Sequence, residues 1–248
     1  MNTAPSPLDA ASTRTIRRRL LRPLIYSLFA GIVIWLVVAY VILPVAWRRY
    51  EKRHPALDNA PRIAHTATGI PGDPVNLGLV ATEEQIHKAM LAAEWFPADP
   101  ITLESSIRIA GSTVLHRSYE DAPVSSLYLW GHKQDLAFEQ PVGNDARRRH
   151  HVRFWRSEKL DDQGKPLWLG AATFDTKVGF SHTTGEITHH ISPDVDAERD
   201  KVIADLQRAA ALVEEFWVDD FHPTLTGKNG GGDAYRTDGR LEVGIVGP

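Results

Sequence analysis

GEITHHISPDVDAERDKVIADLQRAAALV, residues 185–213, changes period in its middle, and that change decides the fold. Up to Ile191 the residues alternate as a strand does: Ile187, His189 and Ile191 share one face, Thr188, His190 and Ser192 the other. From Ser192 the pattern turns helical, with Ser192 as N-cap, Pro193 at the first helical position, and Val195, Val202, Leu206, Ala209 and Val213 as an apolar stripe. The stripe requires a sheet to pack on. Strands are predicted upstream at 124–130, 135–140, 150–157, 166–178 and 185–191, with Asp161-Asp162-Gln163-Gly164 as a hairpin loop. Before them, Thr82 and Gln85 form a capping box for a helix carrying Ile86, Ala89, Met90 and Ala93, which Pro97 ends. A second helix is expected from Thr102, with Leu103, Ile107, Ala110 and Val114 on one face. Helices, a run of strands, a helix and closing strands define an α+β class with a mainly antiparallel sheet packed by helices.

The N-terminus follows a different rule. PLIYSLFAGIVIWLVVAYVILPVAW, residues 23–47, holds 25 residues without a charge. A helix over residues 24–45 is about 33 Å long at about 1.5 Å per residue, enough to cross a hydrocarbon core of about 30 Å. The run is too long for a signal-peptide core and is followed by Arg48-Arg49 rather than by a small-residue cleavage site, so an uncleaved single-pass anchor is expected. Tyr26, Trp47 and Tyr50 stand where an interfacial aromatic belt would be. Five arginines precede the run (14, 17, 18, 19 and 22) and five Lys or Arg follow it (48, 49, 52, 53 and 62), so flanking charge does not choose a side. The absence of cysteine suits an oxidising compartment and places the domain on the non-cytoplasmic side. The resulting layout is a basic segment (1–22), a transmembrane helix (23–47), a linker containing Pro55, Pro61, Pro71 and Pro74 (48–74), and a soluble domain (75–248). Residues 63–248 carry 18 Lys or Arg against 28 Asp or Glu, an acidic balance that argues against a nucleic-acid partner and leaves the lipid bilayer as the expected surroundings.

Histidine offers the chemistry. In RRRHHVRFWR, residues 147–156, strand alternation groups Arg149, His151, Arg153 and Trp155 on one face and His150, Val152, Phe154 and Arg156 on the other. With His190 from the neighbouring strand, Arg149, His151 and Arg153 would supply forked donors and imidazoles to a phosphate or carboxylate. The simpler reading is a solvated basic sheet face, with His150 and His189 at the core edge. A metal site is the competing chemistry: His182, Glu186, His189 and His190 lie within nine residues, and His222 follows Asp219-Asp220. The spacing matches no standard metal motif, and no cofactor is fixed by the sequence. Gly230-Gly231-Gly232 lacks the spacing of a phosphate loop and reads as a surface loop or tight turn, while Ser181 lacks the context of a serine nucleophile.

GIPGDPVNLGLV (69–80), WFPADPIT (95–102), DLAFEQPVG (135–143), RRRHHVRFW (147–155), SHTTGEITHHISPDVDAERD (181–200) and NGGGD (229–233) resemble, in this order, the LssY C-terminal domain family. The resemblance spans about residues 69–244 and implies a protein of the bacterial cell (inner) membrane. Family members are often fused to lipid-phosphatase-like or other multi-span domains, whereas this sequence has one apolar run, and no residue roles come with the resemblance. Two function classes follow. One is an accessory domain that recognises an anionic group, a lipid headgroup or a membrane-protein partner, through Arg149, His151, Arg153 and His190. The other is a membrane-surface hydrolase of a phosphate or related ester, with His151 and His190 in acid–base or metal-ligand roles, Asp175 as carboxylate partner, and His182, His189, His190 and His222 as candidate metal ligands.

Overall fold

A computed structural model describes residues 26–46, 57, 60–98, 126–143, 148–161, 163–183 and 187–248. The chain divides into two compact units, Met1–His54 and Pro55–Pro248. In the first, helix α1 (Tyr26–Ala46) has a mean hydropathy of 2.7 and is long and apolar enough to cross a membrane. A π-turn, Val38–Ile42, interrupts its regular ladder.

The second unit contains β1 (Ile63–His65), β2 (Pro71–Pro74), β3 (Leu77–Val80), α2 (Glu83–Ala92), β4 (Phe96–Pro97), β5 (Tyr128–Leu129), β6 (His132–Lys133), β7 (Leu136–Pro141), β8 (Arg149–Leu160), β9 (Pro166–Phe180), β10 (Ile187–Ile191), α3 (Asp196–Arg208), β11 (Leu212–Val218), β12 (Thr226–Lys228), β13 (Ala234–Arg236) and β14 (Leu241–Val246). The main sheet runs β11-β14-β3-β9-β8-β7-β4, with β10 added beside the far half of β9. Every pair in it is antiparallel except β14 with β3. Among the described residues the unit also holds a smaller sheet, β2-β1-β5-β6, and the hairpin β12-β13. The class expected from sequence, α+β with a mainly antiparallel sheet behind one apolar helix, is the class observed.

Strand alternation separates two cores. Leu77, Leu79, Phe138, Val152, Phe154 and Trp168 pack with Ile86 and Met90 of α2 and Val202 and Leu206 of α3. On the other face Trp155, Leu167, Leu169 and Val243 pack with Ala64, Val75, Leu127, Leu129 and Phe221. Buried Asn76 links the layers: its Nδ2 donates to the carbonyls of Ala172 (2.9 Å) and Val195 (2.8 Å), and its Oδ1 accepts from the Ala172 amide.

Three expectations are corrected. The expected linker, residues 48–74, contains β1 and β2, and its Ala64 is fully buried. Pro71 and Pro74 are compatible with a strand because β2 is the edge of its sheet, where a missing N–H breaks no ladder. Second, α3 starts at Asp196 rather than at Ser192-Pro193. Pro193 and Asp194 stay outside the helix, held against β13: the Arg236 amide donates to the Pro193 carbonyl, and Asp194 forms a β-bridge with Arg236. Third, α3 ends at Arg208, so Val213 leaves the stripe and lies exposed on β11. The capping box of α2 forms as expected, through Thr82 and Gln85. The helix expected from Thr102 falls outside the described residues.

Candidate functional site

Arg149, His151 and Arg153 share one face of β8, but that face is interior: they are 5 %, 1 % and 6 % exposed. A solvated basic strand is therefore not what forms, because neighbouring strands bring counter-charges over it. Arg149 Nη1 donates to Glu139 Oε2 on β7 (2.6 Å), and its Nε to Asp175 Oδ2 on β9 (3.1 Å). Arg153 Nη1 donates to Asp73 Oδ2 on β2 (2.8 Å). Both guanidiniums are thus committed to carboxylates inside the protein, which weakens them as receptors for an external anion. Burial pushes the Asp175 carboxyl up to about 6 against the pull of Arg149 and Arg153. It raises Glu139 as well, with Arg149 opposing.

His151 sits in register between Glu139 and Thr173. Neither of its ring nitrogens has a hydrogen-bond partner among the described residues. Burial, then Arg153, Arg149 and His189, hold its pKa well below the ordinary value, so the ring is neutral. His189 is drawn down to about 4, by burial first and then by Arg149 and Arg153. Its Nδ1 lies 3.3 Å from Asp175 Oδ2 but off the hydrogen-bond direction, so this is a close contact rather than a bond.

His151 and His190 are not brought together. They flank opposite edges of β9, facing Thr173 and Lys177, about 13 Å apart along the strand. His190 instead joins two residues from other segments. Its Nδ1 is 2.7 Å from Asp233 Oδ1, and its ring stacks obliquely on His182, with centroids 5.2 Å apart. One ligand atom from each of His182, His190 and Asp233 lies within 4.8 Å of the others, close enough for one metal ion. His182 is exposed, His190 buried and Asp233 between, so the cluster opens to solvent on one side.

The glycine-rich loop makes this arrangement possible. The His182 amide donates to the Gly231 carbonyl (2.8 Å), and Gly232, at φ +87, leaves no room for a side chain: a Cβ there would lie 2.7 Å from the His182 Cβ. On the opposite side, Gly179 lets the His190 ring lie against β9, since a Cβ would meet Nε2 at 2.8 Å.

The remaining sequence candidates separate. His222 is buried, its Nε2 2.7 Å from the Val75 carbonyl, and burial lowers its pKa, so it belongs to the core rather than to a metal cluster. His189 and Asp175 belong to the arginine network, and Glu186 lies outside the described residues. His150 faces the helices and contacts Glu198 Oε2 at 2.7 Å. The sequence reading missed Asp233, whose sole signal was its place directly after the triple glycine.

The fold and site define an α+β domain with a buried arginine–carboxylate network and an open histidine–aspartate cluster, preceded by an apolar helix that fits a membrane-anchored protein. The chain belongs to the LssY C-terminus family, whose model matches residues 57–241. No curated protein and no solved structure matches it.

Proposed function

We propose that this protein is a membrane-anchored, metal-dependent hydrolase of phosphate or related esters, with His182, His190 and Asp233 holding a divalent transition ion such as zinc. The convergence of these three side chains within 4.8 Å is the observation that carries the reading. Two imidazoles and a carboxylate suit zinc, and three protein ligands would leave a further position on the ion open to substrate. An ion held there supplies Lewis acidity toward a phosphoryl or acyl oxygen. His190 Nδ1 lies 2.7 Å from Asp233 Oδ1, and an ion bound between them would take the place of the proton in that contact. Metal affinity accordingly falls as pH falls.

The substrate is met at the bilayer surface, a lipid headgroup phosphate being the nearest source. In this reading the domain lies outside the cytoplasm of a bacterial cell, which the absence of cysteine supports. An impermeant thiol reagent on intact cells tests it at an exposed Lys88→Cys site, where protection before lysis rejects the assignment.

The test of function uses the full chain in detergent, analysed for bound metal and assayed on p-nitrophenyl phosphate and bis-p-nitrophenyl phosphate with and without chelator. One metal per chain and chelator-sensitive hydrolysis are expected, both lost in His190→Ala. Metal-free protein that binds no zinc on titration, or hydrolysis indifferent to chelator and to His190→Ala, rejects the proposal.

A further inference from the structure

The loop between β12 and β13 connects the open cluster to the buried network. Asn229 and Asp233 close this loop on themselves: the Asn229 amide donates to the Asp233 carbonyl (2.9 Å), and the Gly232 amide to the Asn229 carbonyl (2.9 Å). The Asn229 side chain reaches in both directions. Its Oδ1 accepts from the Asp233 amide (2.9 Å), and its Nδ2 donates to Asp73 Oδ1 (3.5 Å). Asp73 is the carboxylate that holds Arg153. At the other end, Asp233 Oδ2 accepts from the Ile191 amide (3.2 Å) while Oδ1 meets His190 Nδ1.

We propose that Asn229 is a positioning residue: it fixes Asp233, and through Asp233 the orientation and tautomer of His190, by anchoring the loop to the buried Asp73–Arg153 pair. The inference rests on the metal-site reading only for its metal-binding readout. An amide is suited to this place because it offers a donor to a carboxylate and an acceptor to an N–H at once; a carboxylate offers no donor to Asp73. Asn229 and Asp73 are both buried, so water replaces neither contact cheaply. Carboxylates that ligate a metal are themselves held by further hydrogen bonds, and loss of such outer contacts typically weakens metal binding about 10–100-fold.

The experiment compares full-length wild type with Asn229→Ala, each labelled with 15N-histidine in detergent. Ring-nitrogen shifts of His190 are read without metal, with His132 as an internal control, and zinc affinity is measured by titration calorimetry. Wild type is expected to hold His190 as the Nδ1–H tautomer. Asn229→Ala is expected to move that tautomer toward a mixture, leave His132 unchanged, and weaken zinc about 10–100-fold while the protein still unfolds in one cooperative thermal transition. If Asn229→Ala does not fold, Asn229→Ser takes its place, since it keeps an acceptor near the Asp233 amide and drops the reach to Asp73. Unchanged His190 shifts in a folded variant overturn the inference, whatever zinc does. A wild type that binds no zinc while its His190 tautomer responds to Asn229 leaves the positioning role standing and removes the metal reading.

Discussion

Buried carboxylates govern this domain's response to pH at the level of single residues. Burial pushes Glu242 up to about 7; Arg199 draws it down, and Asp200 and Glu215 push it further. A carboxyl whose pKa rises on folding contributes stability that is complete below its unfolded pKa, about 4.3, and is lost as pH rises through about 7. Asp175 behaves the same way up to about 6. His189 runs oppositely: its stability is complete above the unfolded pKa near 6.5 and is lost as pH falls through about 4. Asp175 and His189 therefore offset each other in the mildly acidic range, and Glu242 is left uncompensated. Glu242→Gln should gain stability relative to wild type between pH 4 and pH 8, on the order of 1–3 kcal/mol, read by denaturant unfolding at both pH values. A difference that stays flat with pH would show that the carboxyl is not strained by burial. Arg199 keeps Asp196, Asp200 and Asp238 as partners, so the substitution does not strand it.

The elements show what was legible in the sequence and why the rest was hidden. The alternation in RRRHHVRFWR assigned the β8 faces, since Trp155 falls in one core and Val152 and Phe154 in the other. Alternation gives a face but not its cover, so the burial of Arg149, His151 and Arg153 under Asp73, Glu139 and Asp175 was invisible. Likewise the sequence put His182 and His190 together as candidate metal ligands, but Asp233 joins them from a segment about forty residues further on, and local pattern contains no such pairing. The start and stop of α3 were misread for a related reason: Ser192-Pro193 is a sound local start that β13 overrides, and α3 stops without glycine. Ala210 holds φ +53 at that stop, with the Ala211 amide donating to the Leu206 carbonyl and the Ala210 amide to the Gln207 carbonyl. This is a Schellman stop with alanine where glycine is usual. Ala210→Gly should relieve the left-handed strain and raise stability by up to about 1 kcal/mol, seen as a higher melting temperature. A lower melting temperature would mean that the unfolded-state entropy of glycine outweighs the relief.

At the scale of the whole molecule, the corrected boundary has a direct consequence. Residues 55–248 form a compact unit with two cores of their own, so a fragment beginning at Pro55 should fold without α1. A fragment beginning at Val75, where the sequence placed the domain start, should not. It removes Ala64 from the second core, and it removes β1 and β2, leaving β5 paired with β6 alone. Above all it removes Asp73, the carboxylate held by buried Arg153. Breaking a buried ion pair by deleting one partner costs about 3–5 kcal/mol, a large part of the roughly 5–15 kcal/mol that holds an ordinary domain together. Denaturant unfolding of the 55–248 fragment should therefore be cooperative. The 75–248 fragment should be insoluble or lack a cooperative transition, and Asp73→Asn in the longer fragment should lose stability in the same direction by a smaller amount, because the asparagine oxygen still accepts from Arg153. Equal stability of the two fragments would mean that β1, β2 and Asp73 lie outside the folding unit, and with them the inner anchor assigned to Asn229.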